Sequence, residues 1–431
     1  YNNYETPQVI ENGNLDPTAG IIETLSLTDG LVSQQLALKK YHRSLLESGE
    51  YWRQSMTRFN AQNRVDATLI SNLRIMRRTL INQISKRCDK SKEIITGVVH
   101  ALLSRSIFIK YLEERKDSNG ETVFPQDFYC NFMESAKWYT DVLNSKEATY
   151  NLFLTLKDKF NGDTLQVSEI ETEIITQDDL DELRTFILGN SELESRQLTL
   201  WPLYSFDIIP IQLISSIYEL FFHLSDEEDE KGTYYTPLHL VNLVMDEVYP
   251  WEGEYKDISF FDPSCGSGIF LVEAYRRLVC RWMSQNAVQA ITCDRLNLLL
   301  KNSIFGVDIN EEAIRVASFS LSLAMCDFLD PRSIWDKLSF PSLLGKNLIS
   351  SDFFDEDKSF NKERYDVIVG NPPWQSNITE KTKEYLKKVN RVIGDKQIAQ
   401  AFSIKCSELC KQNGIICLLM PSKGLLFNRS D

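Results

Sequence analysis

The chain has 431 residues, with 61 acidic against 47 basic side chains and a formal net charge of −14. That balance argues against a strong nucleic-acid clamp in this piece by itself, although a DNA-acting enzyme can carry its basic surface elsewhere. No apolar run approaches the roughly 20 residues a membrane helix needs, and the polar first residues are not a signal peptide. Length suggests two or three domains, each able to bury a core, and a hydrophobic content of 43% is ordinary for a globular protein. The nine cysteines are scattered, with no CxxC pair. They predict reduced thiols in a cytoplasmic protein, with no zinc site. The chain starts at Tyr1 rather than Met, as expected of a fragment or a processed protein.

Residues 1–20 carry Asn, Glu, Gly and two prolines and predict an irregular arm. From Ile21 to about Lys159 the pattern is mostly helical. Apolar residues recur every three or four positions at Leu69, Leu73, Met76 and Leu80, and again at Val98, Val99, Leu102, Leu103 and Ile107. Arg74, Arg77, Arg78, Lys86, Arg87, Lys90 and Lys92 make one basic stretch, read as a solvated helix face or as a phosphate-contacting stripe. Asp117-Ser118-Asn119-Gly120 predicts a turn. Helices are expected over 125–143, 146–159, 177–189 and 211–224. The acidic run Asp226–Glu230 then predicts a solvated joint and a domain boundary near Lys231.

After Gly232 the pattern changes. Apolar runs at 257–262, 302–308, 346–350, 365–370 and 414–420 read as strands. They alternate with helical segments at 268–283, 311–328 and 396–412, which argues a parallel α/β sheet.

The residues that carry chemistry lie where these strands end. Asp262-Pro263-Ser264-Cys265-Gly266-Ser267-Gly268 joins a strand to a helix. Gly266 and Gly268 let the backbone approach a ligand, and the free N–H groups of the helix favour an anionic group. Leu271 stands where a third Gly would complete a dinucleotide fingerprint, which argues against an NAD enzyme. Asp308 ends the second strand, followed by Ile309. An acid there accepts hydrogen bonds from ribose hydroxyls, and its alternative is a cap for the helix at Glu311. Asp352 and Phe353 follow the third strand, where the acid suits an adenine amino group with the ring beside it, or forms a turn. Tyr234-Tyr235-Thr236-Pro237 precedes an apolar helix. Thr236 reads as its cap with Pro237 at the first helical position, and the same end can hold a carboxylate.

Asn371-Pro372-Pro373-Trp374 follows the fourth strand. Two prolines cannot continue a ladder or enter a helix interior, so the chain leaves the sheet in a stiff turn. An amide oxygen, a backbone carbonyl and an aromatic face suit a flat heterocycle with an exocyclic amine. The alternative is a rigid loop with a buried Trp.

These motifs, taken in order, resemble the amino-group DNA methyltransferases that use S-adenosyl-L-methionine, in their adenine-N6 gamma-type arrangement. The likeness is to the methylation region of type I or fused type II restriction–modification enzymes. It runs from about 232 to 424, with a weaker similarity upstream. It implies a class I methyltransferase Rossmann-like sheet, C-terminally incomplete, in 232–431, preceded by an α-helical domain in 1–231. By the same resemblance Tyr235, Thr236 and Pro237 hold the methionine end of the cofactor. Asp262, Pro263, Gly266 and Gly268 line its methionine portion, Asp308 and Ile309 take the ribose, and Asp352 and Phe353 take the adenine. Asn371 and the Pro372 carbonyl accept from the target N6 amine, with Pro373 stiffening the turn and Trp374 stacking on the base. Double-stranded DNA is the implied substrate. A specificity subunit or fused target-recognition domain, and a nuclease, are the implied partners outside this chain. Cytosine N4, an RNA guanine or a protein glutamine remain as alternative acceptors, and a non-catalytic cofactor-binding scaffold as a further reading. No Pro-Cys dipeptide offers the nucleophile that a cytosine-C5 mechanism needs.

Overall fold

The computed structural model describes residues 65–117, 120–163, 165–189, 191–192, 197–198, 206, 236–288, 290–374, 378–393 and 397–422. The expected arm at 1–20, the helix at 211–224, the acidic joint at 226–230 and Tyr235 lie outside the described residues. The chain divides into two compact units, Tyr1–Arg78 with Leu188–Ser205, and Thr79–Ile187 with Phe206–Asp431. In the first, the described part is the start of helix α1 (Val65–Arg87) and a two-residue antiparallel ladder between Ser191–Glu192 and Gln197–Leu198. All that follows concerns the second unit.

Its helical part is built on α2 (Lys92–Glu114). Ser91 caps this helix by accepting the Ile94 N–H, and an apolar periodicity interrupted by few charges buries most of its length. By length and composition α2 is apolar enough to cross a membrane, a correction to the expectation that no such run exists. It is a core helix here, with 67% of its most apolar stretch buried. The charge it does bury is paired: fully enclosed Arg105 meets Glu171 at 2.7 Å. Helices α3 (Lys146–Phe160) and α4 (Gln177–Leu188) follow the expected bounds closely. The single helix expected over 125–143 is instead a 3₁₀ turn at Phe128–Asn131 and a short helix at Tyr139–Val142. Positive φ at Asp127 and Ser135 breaks it. Of the basic stretch, Arg87 is bound to the fully buried carboxylate of Asp179, a structural role and not a phosphate contact.

These helices dock on the α/β part through backbone and side-chain bonds. The Phe340 N–H donates to the Phe160 carbonyl at 2.7 Å, and Asp163 accepts from Ser318 and from the Leu343 N–H.

The α/β part opens with α5 (Leu238–Val248). Strands β1 (Phe260–Asp262), β2 (Ile304–Asp308), β3 (Leu348–Ser350), β4 (Tyr365–Gly370) and β5 (Cys410–Leu418) form one parallel sheet in the order β3-β2-β1-β4-β5. Between them lie α6 (Ile269–Gln285), α7 (Cys293–Ser303), α8 (Glu311–Cys326), α9 (Glu380–Lys388) and α10 (Ile398–Leu409). The fold is a doubly wound, Rossmann-like α/β architecture. The α7 helix accounts for the long separation between the Gly turn and Asp308. β5 starts four residues earlier than expected, because a register shift opposite β4, with Asn413 at positive φ, lengthens the strand. An aromatic core of Phe261, Phe353, Phe360, Tyr365 and Phe402 fills one face of the sheet.

Candidate functional site

In a parallel sheet every strand ends at the same edge, so the loops after β1, β2, β3 and β4 gather there. Sequence order reverses direction between β1 and β4, the switch point at which open α/β sheets leave a crevice. Asp262, Asp308, Asp352 and Asn371 all follow or close strands at this edge.

The Gly turn after β1 is docked onto β2. The Cys265 N–H donates to the Val307 carbonyl at 2.9 Å, and the Gly266 N–H donates to Asp308 Oδ2 at 2.9 Å. Gly268 sits at φ +84° as the N-cap of α6, and a Cβ there would stand 2.9 Å from Ala317 Cβ. Both constraints, a left-handed backbone and a close approach, require glycine. Asp308 also accepts the Asn310 N–H at 2.8 Å through Oδ1. Burial pushes its carboxyl upward, against the pull of the N–H groups of Asn310, Gly266 and Ile309. The carboxylate keeps acceptor capacity for a further donor. Asp308 therefore does not cap α8. Asn310 does, accepting from Glu312 and Ala313. Ile309 is 69% exposed beside it.

The Thr236 cap expectation is corrected. α5 has Pro237 as its N-cap residue and no side-chain cap bond. Thr236, buried, instead accepts from Asn371 Nδ2 at 3.1 Å. The other side of the same amide meets Trp374, whose indole N–H donates to Asn371 Oδ1 at 3.2 Å and to the Leu419 carbonyl at 3.1 Å. An indole nitrogen can only donate, so the amide atom facing it is the oxygen, and the orientation of Asn371 is fixed. Oδ1 keeps a second lone pair. Pro372 is buried, and Pro373 and Trp374 are half-buried. The Leu419 N–H closes the loop by donating to the Gly370 carbonyl at 3.0 Å. Gly370 itself lies against Asp262: a Cβ would stand 2.6 Å from Oδ1. Asp262, 1% exposed, accepts the Ser264 N–H at 3.0 Å, and Pro263 is in the same contact with Gly370.

Asp352 accepts the Phe354 N–H at 2.8 Å and the Thr379 hydroxyl at 2.7 Å. Phe353 departs from expectation. Its ring is 3% exposed and stacked on Phe402 and Phe360 in the core, so it does not stand open beside a ligand. Thr379 was not singled out in the sequence, and nothing there marked it beyond its place as the N-cap of α9.

Two family models match within this α/β part. The Eco57I restriction-modification methylase model covers residues 302–430, and the MmeI DNA-methyltransferase domain model covers residues 249–332. Over residues 249–430 the α/β region is similar to restriction–modification methylase domains. Among curated proteins, the adenine-specific methyltransferase PglX of Streptomyces coelicolor is 32% identical over 160 residues, covering 30% of this chain and 13% of its own length. The type II methyltransferase M.VspI of a Vibrio species is 24% identical over 48% of this chain and 41% of its own. The restriction enzyme and methyltransferase RM.Eco57I of Escherichia coli is 23% identical over 51% of this chain and 27% of its own. The chain thus spans less than half the length of each of these relatives. The α/β region supplies the strand-end residues described above, and the helical part packs against its α8 helix and the segment before β3.

Proposed function

We propose that this chain transfers a methyl group from S-adenosyl-L-methionine to N6 of an adenine flipped out of double-stranded DNA, as part of a cytoplasmic restriction–modification system. We take 232–431 as the methyltransferase domain and 1–231 as the helical domain before it. The observation that carries the reading is the fixed Asn371 amide at the switch point, at the same sheet edge as Asp262, Asp308 and Asp352. Target recognition and cleavage would come from a specificity subunit, a fused recognition domain or a nuclease.

The residues present fit the cofactor. Asp308 is a half-buried carboxylate with spare acceptor capacity, and Gly266, at positive φ, brings a backbone without a side chain beside it. Asp308 and Ile309 would hold the ribose and Asp352 the adenine amino group. Thr236, Pro237, Asp262 and Pro263 would hold the methionine end, with Tyr235 beside them. Bound there, the cofactor supplies an electrophilic methyl.

The chain's own work is at the acceptor. An exocyclic amine is a poor nucleophile because its lone pair is delocalised into the ring. The Asn371 Oδ1 and the Pro372 carbonyl would accept its two hydrogens and favour a more tetrahedral nitrogen. This is preorganised electrostatics, not covalent catalysis. Alignment of amine and methyl supplies the rest. Flipping the base costs a few kcal/mol, and stacking on Trp374 would offset about 1–3 kcal/mol of it.

The test is to incubate the full-length protein with DNA and S-adenosyl-L-methionine and digest the product to nucleosides. N6-methyladenine is the expected product. N4-methylcytosine, or methylation of RNA or protein only, would reassign the acceptor. Cofactor binding without transfer to any of them would favour the scaffold.

A further inference from the structure

Lys405 lies on the buried face of α10, in line with Ala401, Phe402, Cys406 and Leu409, and is 3% exposed. An ammonium so enclosed is costly unless its donors are satisfied. Nζ donates to the Phe353 carbonyl at 2.5 Å. Four rings surround it, those of Phe353, Phe354, Phe360 and Tyr385, at 4.9, 5.7, 5.4 and 5.6 Å. Such rings attract a cation, which offsets part of the cost.

The carbonyl it holds belongs to the residue next to Asp352. That loop is a tight turn: the Asp355 N–H donates to the Asp352 carbonyl at 3.0 Å, and the Phe354 N–H to Asp352 Oδ1. The Phe353 carbonyl lies in the middle of this turn, so Lys405 fixes it from the core side while Thr379 fixes the carboxylate from the other. A core lysine placed on this one carbonyl spends stability on the geometry of a loop whose ligand-facing group is Asp352.

We propose that Lys405 is a positioning residue for the adenine end of the cofactor, acting through the turn that carries Asp352. The proposal rests on the reading of Asp352 as the acceptor for the adenine amino group.

Two ligands test it in the full-length protein. S-adenosylhomocysteine carries the amino group, and its hypoxanthine counterpart lacks it. Lys405→Met keeps the chain's length and apolar stem but removes the donor. We expect about a tenfold loss of affinity for the adenine compound, about 1.4 kcal/mol, and an unchanged, weaker affinity for the hypoxanthine compound. A purely structural lysine would weaken both alike, and that result, or no change in either, would overturn the proposal. If the wild-type protein binds neither compound, the cofactor site itself is wrong and this inference falls with it.

The wild-type pH profile is a second measurement that does not depend on the variant folding. Burial lowers the Lys405 ammonium to about 8, against the opposing pull of Glu356, Asp352, Glu408 and Asp355. Lys381 neutralises Asp355 and Lys388 neutralises Glu356 on the outer side, and the Tyr385 phenol on α9 is held above its ordinary range. Between pH 7 and 9.5 the affinity for the adenine compound should fall as Lys405 loses its charge, and that for a counterpart with an unsubstituted purine ring, which has neither the amino group nor a ring proton to lose, should not. Parallel profiles would overturn the assignment.

Discussion

Gly370 is the residue on which strand β4, Asp262 and Asn371 meet, and Gly370→Ala tests that junction by space alone. Its backbone is ordinary strand, so alanine carries no conformational penalty. The added Cβ would stand 2.6 Å from Asp262 Oδ1, 3.2 Å from its Cγ and 3.3 Å from Pro263 Cδ. The carboxylate oxygen falls short of ordinary contact by about 0.8 Å. It has nowhere to retreat: Asp262 is 1% exposed and Oδ1 already accepts the Ser264 N–H. Overpacking of this kind costs about 1–3 kcal/mol, and a loosened buried hydrogen bond about 1 more. At about 2–4 °C per kcal/mol for domains of 150–250 residues, Tm should drop by several degrees. Thermal melting checks that arm. Calorimetric titration with S-adenosyl-L-methionine checks the other, where at least a tenfold loss is expected because Asp262 and the strand end carrying Asn371 are pushed apart. A variant that melts and binds like the wild type would refute the packing argument at this junction.

Asn371→Ala should keep cofactor affinity and reduce transfer by two orders of magnitude or more, on the scale of about 2.7–4 kcal/mol for one preorganised group. Single-turnover methylation of DNA reads this, and undiminished turnover would remove Asn371 from the chemistry. Asp308→Asn should flatten the acid side of the binding profile. Burial raises the Asp308 carboxyl, so in the wild type protonation and loss of affinity begin at a higher pH than for an ordinary carboxyl at about 3.9. Titrations from pH 8 down to 4 show whether the variant's profile is flat. Arg277 is fully buried, bound to Glu273 at 2.9 Å and to Asp246 at 2.7 Å. Arg277→Leu strands the Glu273 carboxylate, which is 3% exposed, and should cost about 3–5 kcal/mol. The double change with Glu273→Leu should recover much of that loss in urea unfolding, whereas an additive loss would show that the pair was not coupled.

The strands of the sheet were legible because buried parallel strands are short apolar runs closed by turn residues, and 365–370 was placed to the residue. The acids at strand ends were legible for the same reason: topology alone carries them to one edge. What sequence could not supply was direction. Thr236 reads as a helix cap by residue type, yet its hydroxyl faces Asn371, because Pro237 takes the cap position and turns Thr236 inward. Phe353 reads as a ring beside a ligand, yet the aromatic core encloses it. Lys405 left one trace, a charge in the apolar row Ala401, Phe402, Cys406 and Leu409, but only the fold shows which carbonyl it meets. The break of the 125–143 helix was hidden because left-handed Asp127 and Ser135 carry no glycine to announce them.

Trp374 presents two working directions on a single ring. The rim holds the Asn371 oxygen and the Leu419 carbonyl, while the π face lies at right angles to both bonds. On the proposed reading, stacking and amide alignment are thereby geared together. A guest that lies flat on the indole leaves the acceptor aimed, whereas one that tilts the ring drags the indole N–H away and loosens the amide it steers. A phenyl ring at this position would offer the same surface and no such linkage. If Trp374 stacks on the target base as proposed, the fit of a planar guest and the readiness of the acceptor are set by one side chain.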